Sequence, residues 1–161
     1  MVDDWQQRVD DVWAHASEMA DLDVVAAIDA LASEREVDDA RAVFERAGAR
    51  DSAGLEAEAE PLYRRALELG LPDDVVPRAT IQLASTIRNL GKVDEAIDLL
   101  EAQLHAHPDD EWTSVTSAFL ALALVSRGSE REAASVALTA LAGSLPLYQR
   151  SVRAYAAELL D

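Results

Sequence analysis

Residues 83–96 read Leu83-Ala84-Ser85-Thr86-Ile87-Arg88-Asn89-Leu90-Gly91-Lys92-Val93-Asp94-Glu95-Ala96. The glycine ends one helix, where the chain must turn through a conformation that costs a Cβ-bearing residue energy. The acidic pair Asp94-Glu95 then opens a second helix, near its positive end. The pattern recurs outward from this stretch. Gly54, Gly91 and Gly128 are each 37 residues apart. Ala59, Ala96 and Ala133 follow them by five residues, and Leu67, Leu104 and Leu141 by thirteen. Ala47, Ala84 and Ala121 precede them by seven, and Pro72, Pro108 and Pro146 close the units. Five features repeating together predict a helical hairpin used three times. The alanines belong where paired helices cross closely. The leucines are expected to fill the seam on one face, and each proline to stop a second helix.

A stack of hairpins exposes apolar surface at both ends and needs caps. Residues 3–20 read as one amphipathic helix, with Trp5, Val9, Val12, Trp13 and Ala16 on one face. Residues 22–34 read as its partner. At the far end, residues 145–160 read as a last helix, with Pro146 in its first turn and Val152, Tyr155, Ala156 and Leu159 on one face. The expected organisation is an N-terminal capping pair at residues 1–36, three repeat units at 37–147, and a C-terminal capping helix at 148–161. All lie in one compact all-α domain of about nine helices, the best-formed unit being 77–110. Trp5 and Trp13 have two readings, a cap on the stack or a face for a second copy of the chain, since tryptophan is favoured where proteins bind.

The arrangement resembles the tetratricopeptide repeat family. Leu83-Ala84 is similar to the family's large–small pair, Leu90-Gly91 to its turn, Ala96 to its mid-helix small residue and Pro108 to its terminal proline. Thr80 stands where the family often has Trp, Gln103 where it usually has a second Ala, and Arg46 replaces a core leucine. Phe44-Glu45-Arg46-Ala47, Asp51-Ser52 and Glu58-Ala59-Glu60-Pro61-Leu62-Tyr63 also resemble a group of small bacterial tetratricopeptide proteins, a likeness that brings no activity with it. The resemblance implies a right-handed α–α superhelix. It also implies a protein or peptide partner bound in a concave groove lined by the first helix of each pair. The groove positions are Arg41, Phe44, Gly48 and Asp51, then Arg78, Ile81, Ser85, Arg88 and Asn89, then Val115, Ala118, Leu122 and Val125. A peptide with an acidic group and an apolar anchor suits that mixture. Phe44 and Ile81 stand where chaperone-binding members need lysine, so recognition of chaperone tails is not expected.

The charge sets the remaining bounds. Fourteen basic against 31 acidic side chains give a net −17, which repels phosphate backbones and anionic membranes, so neither nucleic acid nor membrane is an expected partner. The surplus suits a cationic partner and also serves solubility. No cysteine is present, which excludes disulfides and thiolate chemistry. The start is acidic where a secretory leader is basic, and a cytoplasmic location is expected. The six glycines are isolated, which argues against a phosphate-binding loop. His105 and His107, two apart, do not share a helix face, and favourable placement near a helix C-terminus accounts for them without a metal. The pairs Asp38-Asp39, Asp73-Asp74 and Asp109-Asp110 stand before helices, where capping explains them. No catalytic residue, metal or cofactor is expected, and the chain reads as a binding module and not an enzyme.

Overall fold

Gly54, Gly91 and Gly128 have φ of 71°, 82° and 86°, the left-handed conformation that the equal spacing demanded. In the computed structural model, which describes residues 4–108 and 110–161, the chain is all-α. Nine α-helices are formed among the described residues: α1 (Asp4–His15), α2 (Asp21–Ala32), α3 (Ala40–Ser52), α4 (Glu56–Leu69), α5 (Val76–Asn89), α6 (Val93–Ala106), α7 (Thr113–Arg127), α8 (Glu130–Ala142) and α9 (Gln149–Glu158). The three glycines sit between α3 and α4, α5 and α6, and α7 and α8.

The three turns use the same bonds. Gly54 N–H donates to Asp51 O at 3.0 Å, Gly91 to Arg88 O at 3.0 Å and Gly128 to Val125 O at 2.9 Å. The next residue reaches five positions back: Leu55 to Arg50 O at 2.8 Å, Lys92 to Ile87 O at 2.9 Å and Ser129 to Leu124 O at 2.9 Å. These bonds satisfy carbonyls that a helix end leaves without partners. The carbonyl of that same turn residue then accepts from the repeated alanine, at 3.0 Å from Ala59, 3.1 Å from Ala96 and 2.9 Å from Ala133. The turn thus ends one helix and starts the next in the same few residues.

Two compact units are formed, Met1–Gln82 and Leu83–Asp161, and α5 runs through the boundary. In the first, α1 packs on α2, α2 on α3 and α3 on α4. Its core holds Trp5, Val9, Val24, Ile28, Ala32, Ala42 and Ala49, with Val12, Trp13 and Leu31 packed against them. Ala47 and Ala59 are fully buried, as small residues at close crossings should be. Arg46, which stands where a leucine belongs, leans outward instead. Its Nε donates to Asp29 Oδ1 at 3.0 Å, and Arg50 donates to both oxygens of the same carboxylate at 2.9 and 2.8 Å. Asp39 caps α3, its Oδ1 accepting from Ala42 N–H at 3.0 Å.

In the second unit, α6 packs on α7, α7 on α8 and α8 on α9. Ala84, Ile87, Ala96, Ile97, Leu100, Ala123, Leu124 and Ala133 form its core. Gln103, in place of the family's alanine, is buried with its Nε2 lacking a hydrogen-bond partner. Asp110 Oδ1 accepts from Trp112 N–H at 2.8 Å just before α7. Asp109 lies outside the described residues.

Several sequence-based bounds shift. The first helix ends at His15 and continues as a short 3-10 turn, Ala16–Glu18. The last helix begins at Gln149 and not at 145, so Pro146 precedes it. The repeated leucines do not share one environment. Leu67 and Leu104 are half-buried, and Leu141 is 52% exposed, because α9 packs on α8 without covering that position.

Ala59→Leu forces extra methylenes into the packed α3–α4 pair. It should cost about 1–3 kcal/mol in urea unfolding. Leu141→Ala, at an exposed site, should change stability by roughly 0.5 kcal/mol or less.

Candidate functional site

The outward-facing positions of α3 and α7 are equivalent in the repeat, and the structure treats them differently. On α3, Phe44 is 2% exposed and packs on Tyr63 with ring centroids 6.0 Å apart. The Tyr63 hydroxyl donates to Asp51 Oδ2 at 3.3 Å. Burial and then the Asp51 carboxylate push that phenol well above its ordinary range. Ile81, on the part of α5 within the first unit, is 4% exposed. Phe44 and Ile81 are therefore floor, not wall. The guanidinium of Arg78 lies over the Phe44 ring at 5.1 Å while the residue remains exposed. Arg41 donates to Gln6 Oε1 at 3.2 Å and approaches Asp74 at 3.9 Å.

The N-terminal helix covers the middle of this α3 face. Trp13 is half-buried, and its indole Nε1 donates to Glu45 Oε2 at 2.7 Å. A Cβ on Gly48 would meet the Trp13 ring at 3.5 Å, ordinary van der Waals contact, so the indole lies directly against this position. Trp5 is 4% exposed and donates to Leu31 O at 2.8 Å, with the Arg35 guanidinium 4.6 Å above its ring. Both indoles therefore make hydrogen bonds within the first unit.

Glu45 was not singled out by the sequence, yet it is the most buried carboxylate described, at 5% exposed. Burial raises its pKa, outweighing the Trp13 hydrogen bond, Arg78 and Gln6, all of which favour the charged form, while Asp10 opposes it. Asp29 goes the other way: the Arg50 hydrogen bonds hold its carboxyl below the usual range. A cavity of about 360 Å³ beside it is lined by Ala32, Val37, Ala42 and Arg46 among others, with Arg46 and Asp29 paired to each other.

In the second unit, Ser85 and Arg88 are half-buried, Asn89 is exposed, and Arg88 donates to Asn89 Oδ1 at 2.9 Å. The α7 face is open. Val115 is 41% exposed, Leu122 48% and Val125 51%, and Ala118 is exposed between them. Their spacing of three, four and three residues makes a single stripe. No charged side chain occurs from Trp112 to Ser126. Beside the stripe, Ser114, Ala118, Ala137, Ala140, Leu141 and Ser144 line an apolar cavity of about 340 Å³. No group of three or more His, Asp or Glu side chains among the described residues is arranged to hold a metal ion.

Helical hairpins repeated at fixed spacing, with one helix of each presenting a face, define an α-helical repeat protein. Residues 40–159 match the family model described as Tetratrico peptide repeat, and the chain belongs to that family. Searches of curated proteins and of solved structures found no match. The matched span starts with α3 and takes in α9, leaving α1 and α2 outside it. Members of the family bind proteins and peptides without catalysing reactions, and this chain is a repeat module of that kind. No helix among the described residues is long and apolar enough to cross a membrane.

The two carboxylates of the first unit should act oppositely on stability. Glu45, with a raised native pKa, contributes most below its unfolded pKa and loses that contribution as pH rises through the native value. Asp29, with a lowered one, contributes above its unfolded pKa and loses that as pH falls through the native value. Glu45→Gln keeps an acceptor for Trp13 and removes the buried charge. It should raise Tm at pH 7, with the gain fading by about pH 4. Asp29→Asn should lower Tm at pH 7, with that difference shrinking in acid. Thermal melts of both variants across pH check the signs.

Proposed function

We propose that the chain binds a protein partner through the outward face of α7, with Val115, Ala118, Leu122 and Val125 receiving apolar side chains of an extended or helical segment. The observation that carries this reading is a charge-free apolar stripe left exposed on a chain with net −17. Scattered apolar side chains need no explanation, whereas a contiguous stripe does. The adjoining cavity between α7 and α8 is large enough to seat an apolar anchor residue. Within the same unit, Ser85, Arg88 and Asn89 of α5 supply polar groups, with Arg88 donating to Asn89.

Leu122→Glu with Val125→Glu tests the reading. Both side chains are exposed, so Tm should change little. Partners retained from native lysate by the wild type should be lost with the double variant. An unchanged set of retained partners rules this face out. Light scattering of the same pair of proteins tells a different partner from a second copy: a wild-type dimer made monomeric by the variant assigns the stripe to self-association.

A further inference from the structure

From Ala133 to Ala157 the chain has no aspartate or glutamate, although 31 of its 161 residues are acidic. The same stretch contains Arg150 and Arg153, and both are exposed. Neither forms an ion pair with a carboxylate among the described residues, whereas Arg8, Arg41, Arg46, Arg50, Arg64, Arg65 and Arg127 all do. Large apolar groups stand beside them: Leu147 is 67% exposed, Tyr148 76% and Tyr155 65%. Tyr148 has a φ of 66°, a conformation rare for a residue with a bulky side chain, at the entry to α9. Such strain persists only where the surroundings hold it, and it occurs often at binding sites.

The packing of α9 fixes which side chains face outward. Ala156 is fully buried, and Val152 and Leu159 are half-buried on the same side. At helical spacing, Tyr148 and Tyr155 fall along one flank of that contact and Arg150 and Arg153 along the other side. The small residues Ser151, Ala154 and Ala157, all exposed, separate them and leave the backbone accessible to a close neighbour. Tyrosine and arginine enriched, with acidic groups depleted, is the composition of a protein-binding patch. At physiological ionic strength the Debye length is about 8 Å, so a docked segment responds to these two arginines more than to carboxylates farther off, Glu158 at the C-terminal end being the one acidic side chain on α9.

We propose that the outer face of α9, with Leu147 and Tyr148 leading into it, docks an acidic, partly apolar segment of another protein. Carboxylates of that segment pair with Arg150 and Arg153, and its apolar side chains lie against Tyr148, Tyr155 and Leu147. This face is separate from the α7 stripe, and the inference does not rest on that reading.

The test uses the full chain and a labelled synthetic helix with one glutamate-rich edge and one leucine-rich edge, followed by fluorescence anisotropy. A helix with lysine in place of glutamate is the control. The glutamate helix should bind and the lysine helix should not. Arg150→Glu with Arg153→Glu should weaken binding by about tenfold or more, and added salt should weaken it in the wild type. Tyr155→Ser should weaken it without altering the salt dependence. Leu122→Glu should leave it unchanged, which separates this face from α7. Equal binding of both helices, or equal affinity for wild type and the double arginine variant at matched Tm, overturns the proposal. So does a concentration-dependent dimer that the arginine variant abolishes, since the face would then belong to a second copy.

Discussion

A left-handed glycine followed by an amide that reaches five residues back is the constraint on which the rest of this chain depends. Leu55, Lys92 and Ser129 donate that bond, and their own carbonyls accept from Ala59, Ala96 and Ala133. One residue therefore closes the preceding helix and opens the following one. This fixes the direction in which the second helix leaves, and with it which side chains can meet across the pair. Alanine at the closest approach follows from that geometry. Any larger residue there would have to move a helix whose start is already tied to the end of its partner.

That local origin explains what was legible in the sequence. The turns, the pairing and the buried alanines follow from chemistry within a few residues of each glycine. The environments on the outward faces do not. Phe44 and Ala118 hold equivalent repeat positions, yet the first is buried at 2% exposed and the second is exposed. On α3 the floor is closed by Tyr63, Arg78 and a tryptophan from a helix that begins 36 residues earlier. Only a glycine in mid-helix, Gly48, hinted that something would lie close to it. Nothing local marked Glu45 as buried, since its position follows from Trp13 needing an acceptor. Arg46 looked like a packing fault because its partner, Asp29, comes from a different helix. The last helix starts late because residues 143–148 form an irregular turn, with Tyr148 in a conformation that sequence patterns do not forecast.

Charge divides the surface into regions of different use. Most arginines are engaged by the surplus of carboxylates, so the acidic groups serve as internal partners as well as giving the surface its negative charge. Individual surface pairs of this kind contribute little to stability. Their larger effect is on recognition, because they cancel cationic sites that would otherwise attract unrelated anions. The uncharged α7 stripe and the two arginines of α9 lie outside that pairing. Both lie in the second unit, while the first unit spends its aromatic residues on its own packing.

The short reach of the turn bonds has a consequence for how such a chain can change over time. Because each hairpin closes with contacts spanning only a few residues, duplicating or deleting one 37-residue block leaves the bonding of every other turn intact. Lengthening by whole blocks is therefore cheap in structural terms, whereas a gain or loss of a few residues inside a block breaks the register of its alanines. The spacing common to Gly54, Gly91 and Gly128 is what that asymmetry would leave behind, a period preserved while the side chains around it drifted.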